Sequence, residues 1–229
     1  MRSGFFCFLV FAICFFPKIK EERNSLIGSV KQDSCHFATS GRNQYFILEQ
    51  GYQLVLEGKE GKNKGRLVIT VLNETKMIGN TETRVVEENE TVNGKTVEIS
   101  RNFFAYCKES GSIYYFGEEV DIYKNNKIVS HEGAWIATGK NKPGIVMPGV
   151  GVVGAGYFQE MAPGIAMDQM KIISLTENYK TPAGNFTKVL KTEETTPLEP
   201  GAKEYKFYAP GIGLIKDEHL LLVKYGFVK

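Results

Sequence analysis

Cysteine, tryptophan and histidine are scarce in this chain of 229 residues, which holds four Cys, one Trp and three His. His36, His131 and His219 stand far apart and show no i, i+4 pairing, so a helical metal-binding pair is excluded. The cysteines lack the spacing of zinc ligands. An excess of one charge is missing as well: 28 Lys and Arg stand against 26 Asp and Glu. With residues 1–34 set aside, 23 groups of each sign remain. No nucleic-acid partner is expected, because that calls for a basic surplus gathered on one face. The chain has no apolar run of the roughly 18–20 residues that a membrane-spanning helix needs, and beyond Tyr45 almost nothing recurs at helical spacing. The G-x-S-x-G elbow of a serine hydrolase is absent too.

What is there begins with an apolar run over residues 4–16, behind Arg2, that holds six of the fifteen Phe. Its length matches the apolar region of a secretory signal, so residues 1–16 read as a signal peptide or membrane anchor. No small-x-small cleavage triplet follows. Cys14 has the position of a lipidated cysteine, but Ile13 stands where a small residue is wanted. Soluble secretion, a lipid on Cys14 and an uncleaved anchor therefore all remain open. Residues 17–43 read as a polar tether, and residues 44–229 as a single β domain large enough for its own core. Cys7 and Cys14 belong to the export segment, leaving Cys35 and Cys107 to pair in an oxidising compartment.

From Tyr45 onward the pattern is alternation broken by turns. Residues 52–57 and 66–72 are rich in β-branched and large apolar side chains and flank a charged glycine-containing segment, the mark of a hairpin. Asn93-Gly94 separates two long alternating stretches, and this dipeptide tolerates the positive φ angles of a tight turn. Asn125-Asn126 and Ser110-Gly111 supply further turns. Connections too short for crossover helices imply antiparallel neighbours. The expected fold is an all-β antiparallel meander, forming a curved open sheet, a half-barrel or an up-and-down barrel. Residues 67–72 and 220–223 are apolar on both faces, so both must be covered, by closure, a second sheet or a ligand.

Gly149, Gly151 and Gly154 reproduce the G-x-G-x-x-G spacing of a dinucleotide-binding turn. That motif needs a parallel strand before it and a helix after it. Pro143 and Pro148 precede it and Pro163-Gly164 follows too soon for a helix, so the segment reads as a loop over residues 138–156, and no cofactor is expected. Glu118, Glu119 and Asp121 form the densest acidic group; strand alternation places Glu119 and Asp121 on one face. A solvated edge is the plain interpretation, a calcium site or acid/base pair the sharper one. His131, Glu132 and Trp135 lie close enough in sequence for a small recognition site, and Cys107 shares a face with Phe103 and Ala105, which marks it as packed.

The blocks TETRVVEE (residues 81–88), YYFGEEVDIY (114–123), KPGIVMPG (142–149), KTEETTPLEPG (191–201) and FYAPGIGLIKD (207–217) give the chain a resemblance to a group of exported bacterial proteins of uncharacterised function. The resemblance covers residues 44–225 and carries no catalytic residues with it. It implies export to the periplasm, cell envelope or medium, and at fold level it is similar to curved-sheet proteins that hold lipids. The expectation is a non-enzymatic protein that binds a lipid or amphiphile, or an envelope protein, on its concave face. Trp135, Tyr157 and Tyr208 are the expected lining residues, with Glu160 as a polar anchor. A plugged structural module of the cell surface is the alternative, and a secreted hydrolase working through Glu118, Glu119, Glu132 or Glu160 is a third reading.

Overall fold

The computed structural model describes residues 35–228; the export segment, Cys14 and most of the tether lie outside the described residues. Its strands, in chain order, are β1 (Phe37–Ala38), β2 (Gly41–Asn43), β3 (Phe46–Leu48), β4 (Tyr52–Glu60), β5 (Asn63–Ile78), β6 (Thr81–Val92), β7 (Lys95–Cys107), β8 (Ile113–Lys124) and β9 (Lys127–Ser130), followed by β10 (Trp135–Ile136), β11 (Lys142–Met147), β12 (Gly156–Phe158), β13 (Glu160–Met161), β14 (Gln169–Thr181), β15 (Gly184–Thr195), β16 (Glu204–Ala209), β17 (Gly213–Asp217) and β18 (Leu220–Phe227). No helix occurs among the described residues.

The strands form an antiparallel sheet in the order β12-β14-β15-β16-β17-β18-β4-β5-β6-β7-β8-β11-β13. Its two ends belong to one stretch of chain. β12 pairs with β14, β13 pairs with β11, and Gln159 alone separates them. This short segment bends across the gap between two sheet edges and nearly closes the sheet into a barrel. Gln159 and Glu160 both donate their N–H to the Asp168 carbonyl, which holds the bend. The pairing that joins the most distant strands is β18 with β4, from Leu220↔Gly58 to Phe227↔Tyr52.

Turn chemistry fixes the hairpins. Asn93 and Gly94 have φ of 52° and 76°, and Asn125 and Asn126 have φ of 54° and 60°, as two-residue turns with left-handed backbone require. The charged segment after residue 57 is tighter than the sequence suggests: β4 and β5 run on to Glu60↔Asn63. β8 runs unbroken through Gly117 and is bulged there. Gly117 has φ of 123°, and a Cβ on it would meet the Trp135 carbonyl oxygen at 2.2 Å.

One end of the barrel is plugged by the β2–β3 hairpin. Its tip residue Tyr45 is buried and donates its hydroxyl to the Lys188 carbonyl at 3.1 Å. Asn43, also buried, donates to the carbonyls of Gly111 and Pro148 at 2.8 Å each. The ordered domain thus takes in Cys35 to Asn43, which the sequence pattern assigns to the tether. β1 pairs with β7 at Phe37↔Cys107, and a Cys35–Cys107 disulfide pins the chain at this end. Phe37 packs edge-on against Tyr114 and Phe116, covering the outer face of β8. The Asn93-Gly94 and Asn125-Asn126 turns lie at the opposite, unplugged end.

Candidate ligand cavity

Strand alternation determines which side chains the barrel encloses. Val86, Glu88 and Glu90 of β6 stand opposite Asn102, Ser100 and Glu98 of β7, and these side chains face inward. Glu118 of β8 stands opposite Asn102 and also faces inward. From the far wall, β15 and β16 contribute Glu194, Lys206 and Tyr208, and β17 contributes Asp217 opposite Lys206. The interior is apolar toward the plugged end and carboxyl-rich toward the other.

Three adjoining cavities occupy it. The first, about 130 Å³, is walled by Tyr45, Leu54, Ile69, Val71 and Ile212, with Glu88, Lys206, Tyr208 and Asp217 at its polar side. The second, about 160 Å³, lies among Glu88, Glu90, Glu98, Glu118, Glu160, Glu194 and Lys206. The first and second share Glu88, Phe104, Val146, Gln159 and Lys206 as walls. The third, about 140 Å³, adds Glu132 and Gly133 to Glu98, Glu118, Glu160 and Asp168.

Lys206 is the one cation lining these cavities among the described residues. Its ammonium lies 3.2 Å from Glu194 and 3.6 Å from Asp217. Burial alone would lower its pKa, but Asp217 and Glu194 outweigh that and hold it well above the usual lysine range. Glu194 also accepts from Gln159 at 3.3 Å and from the Tyr208 hydroxyl at 3.4 Å. Burial, then the Glu194 charge, raises the Tyr208 phenol well above its ordinary value.

The carboxyl groups outnumber this cation, and their acidity responds. Burial pushes Glu90 up to about 8, with Glu98 and Glu88 adding repulsion. Glu118 is likewise pushed up to about 8 by burial and then by Glu160. Glu88 rises to about 6, again through burial, with Lys206 opposing the rise and Asp217 adding to it. Glu204, opposite Glu194 across β15 and β16, rises to about 7 through burial and the neighbouring Glu218. Glu88, Glu90 and Glu118 are enclosed by the barrel yet keep partial exposure, because they line cavities rather than packed core. Like charges directly opposite one another on adjacent strands destabilise a sheet, so Glu90↔Glu98 and Glu194↔Glu204 favour holding protons or meeting a cation.

The expected site residues divide. Glu160 and Tyr208 line the cavities. Tyr157 is buried opposite Met170 and lines none of the three. Trp135 sits opposite Glu118, edge-on to Tyr115 with ring centroids 5.4 Å apart, and is 4% exposed; its indole N–H has no acceptor among the described residues. It is packed wall rather than lining. The acidic trio splits across the sheet: Glu118 points in, while Glu119 pairs with Lys76 and Asp121 with His131 on the outside. His131 is therefore turned away from Trp135 and the cavity wall formed by Glu132. Cys107 is 1% exposed and joined to Cys35, which leaves no free thiol there. Among the described residues, the one close grouping of metal-ligating atoms is Cys35, Cys107 and Glu109, and its two sulfurs are bonded to each other.

Gly149, Gly151 and Gly154 lie in the loop between β11 and β12, and β12 leads into β14 with no helix. Part of the predicted 138–156 loop is a strand: β11 pairs with β8 at Gly144↔Tyr115 and Ile145↔Tyr114. Glu88, Glu90, Glu98, Glu194 and Lys206 are functional candidates that sequence reasoning did not single out. For Glu88 and Glu90 the signal was present, as Glu at alternate positions in β6. Comparisons with protein-family models, with curated proteins and with solved structures find no match.

Proposed function

We propose that the chain is an exported, non-enzymatic binding barrel that holds a small amphiphile in its interior. The apolar part lies beside Tyr45, Leu54 and Ile69, and a cationic or hydrogen-bond-donating head lies among the carboxyl groups around Lys206. The observation that carries this reading is the shared wall between an apolar and a carboxyl-lined cavity. Burial of apolar area supplies affinity, and a few polar groups set orientation. A cationic head relieves the repulsion within Glu90↔Glu98 and Glu194↔Glu204 without requiring protons. Export is supported by the Cys35–Cys107 disulfide, a bond typical of oxidising compartments, by the apolar run at residues 4–16 and by the resemblance to exported bacterial proteins. Calorimetric titration with octylamine and with octanoate at pH 7 tests it. Octylamine is expected to bind at least tenfold more tightly; equal affinities, or no heat from either, reject the reading.

A second reading, a secreted hydrolase, is favoured by one observation. Glu118 and Glu160 line the same cavities, and Glu118 is held protonated near neutrality by burial and by Glu160. Such a pair provides a general acid beside a second carboxyl group. Hydrolysis of a panel of aryl glycosides that vanishes in Glu118→Gln supports it; an inert wild-type chain removes it.

A further inference from the structure

The plugged end of the barrel carries large apolar side chains that stay more than half exposed among the described residues. Val150, Val152 and Val153 are 74%, 56% and 58% exposed, Met77 is 59% exposed and Phe227 is 55% exposed. They come from three separate places: the valines from the loop entering β12, Met77 from the end of β5 and Phe227 from the end of β18. The valines sit on a loop, while Met77 and Phe227 are strand-end residues paired with Glu82 and Tyr52, so together they form a discontinuous apolar collar.

The chain enters the domain at this same end. The disulfide ties Cys35 to Cys107, and Gly111 donates its N–H to the Cys107 carbonyl at 2.8 Å. Asn43 bridges Gly111 to Pro148, and Gly149 donates its N–H to the Ser112 hydroxyl at 3.0 Å. The loop bearing the three valines therefore starts beside the disulfide. Upstream of Cys35 the sequence holds 34 residues, including the apolar run at 4–16. A membrane attachment through that run, or through Cys14, would join the domain at this end.

We propose that the plugged end is a lipid-facing surface, with the 150–153 tip seated at headgroup depth in a bilayer and the unplugged, carboxyl-rich end turned to water. Headgroup depth suits the tip, because a glycine-rich loop with few regular backbone bonds is not tolerated in the hydrocarbon core, while exposed valines gain roughly tenfold in partitioning each when they leave water. Lys108, exposed beside the disulfide, adds a positive group for anionic headgroups.

The test uses the full chain bound to vesicles of phosphatidylethanolamine and phosphatidylglycerol with brominated acyl chains. In a Trp135→Phe background, Val152→Trp is compared with Lys127→Trp, an exposed site beside the Asn125-Asn126 turn. The indole introduced at 152 is expected to shift to the blue and to be quenched at least twofold, and the one at 127 to do neither. Hydrogen exchange on the unaltered chain needs no variant to fold: amides of residues 149–155 should slow at least tenfold on vesicle addition. An unquenched indole at 152 with unchanged exchange over 149–155, in protein shown to be vesicle-bound, overturns the proposal. Equal quenching at both positions overturns it as well.

Discussion

Replacing Glu90 by Gln probes the interior directly, because the two side chains have nearly the same size and only one can ionise. Glu90 stands opposite Glu98 with Glu88 beside it, and its pKa in the folded chain is about 8 against an ordinary 4.5. Between those values the folded chain holds a proton that the unfolded chain has released. Stability from this group is therefore fully present below pH 4.5 and is lost as pH rises toward 8. One such group changes stability by at most about 1.4 kcal/mol per pH unit, which sets a ceiling of about 4 kcal/mol between pH 5 and 8. Glu90 keeps some exposure to its cavity, and screening reduces the expected loss to about 2 kcal/mol. The Gln variant should escape that loss, gaining on the wild type by about 2 kcal/mol over this range, or about 4–8 °C in melting temperature. Urea unfolding followed by circular dichroism at pH 5, 6, 7 and 8 measures the difference. A gap between variant and wild type that stays constant with pH refutes the reasoning.

Three further outcomes follow from the packing. Cys107→Ser opens a disulfide that closes a 72-residue separation, and the chain-entropy relation gives a loss of about 4 kcal/mol; thermal melts with and without reductant should converge on the variant's value. Gly144→Ala places a Cβ 2.2 Å from the Gln159 carbonyl oxygen, so the seam between β11 and β13 must separate. A loss of about 3 kcal/mol is expected, with faster hydrogen exchange confined first to residues 156–161. Tyr115→Phe removes the hydroxyl donor to the buried Asn102 side chain and should cost about 1–2 kcal/mol in urea unfolding.

Turns were the most legible part of this sequence. Asn93-Gly94 and Asn125-Asn126 carry their backbone angles in their side chains, so the hairpins they close could be placed from composition. β11 could not, because Pro143 argues against a strand. Pro143 pairs only with Glu160, and contact with β8 begins at Gly144, so the missing proline N–H leaves no ladder bond unmade. β1 to β3 were hidden by brevity, since two- and three-residue strands have no readable period. The carboxyl-lined interior was concealed by a different ambiguity. Alternation says that Glu88 and Glu90 share a face, but not that the charged face is the enclosed one, which inverts the ordinary rule. Trp135, expected as a lining residue, is buried edge-on against Tyr115.

The pairing of β18 with β4 has a consequence for how the molecule is made. Until Leu220–Phe227 has left the ribosome, the strands from β4 onward have no partner for their first edge, and those from β14 onward have none for their last. Two half-finished ribbons must wait for a contact spanning most of the polypeptide, which makes closure slow and late. A chain whose sheet stays open until β18 has emerged remains unclosed while strands β4 to β17 are made.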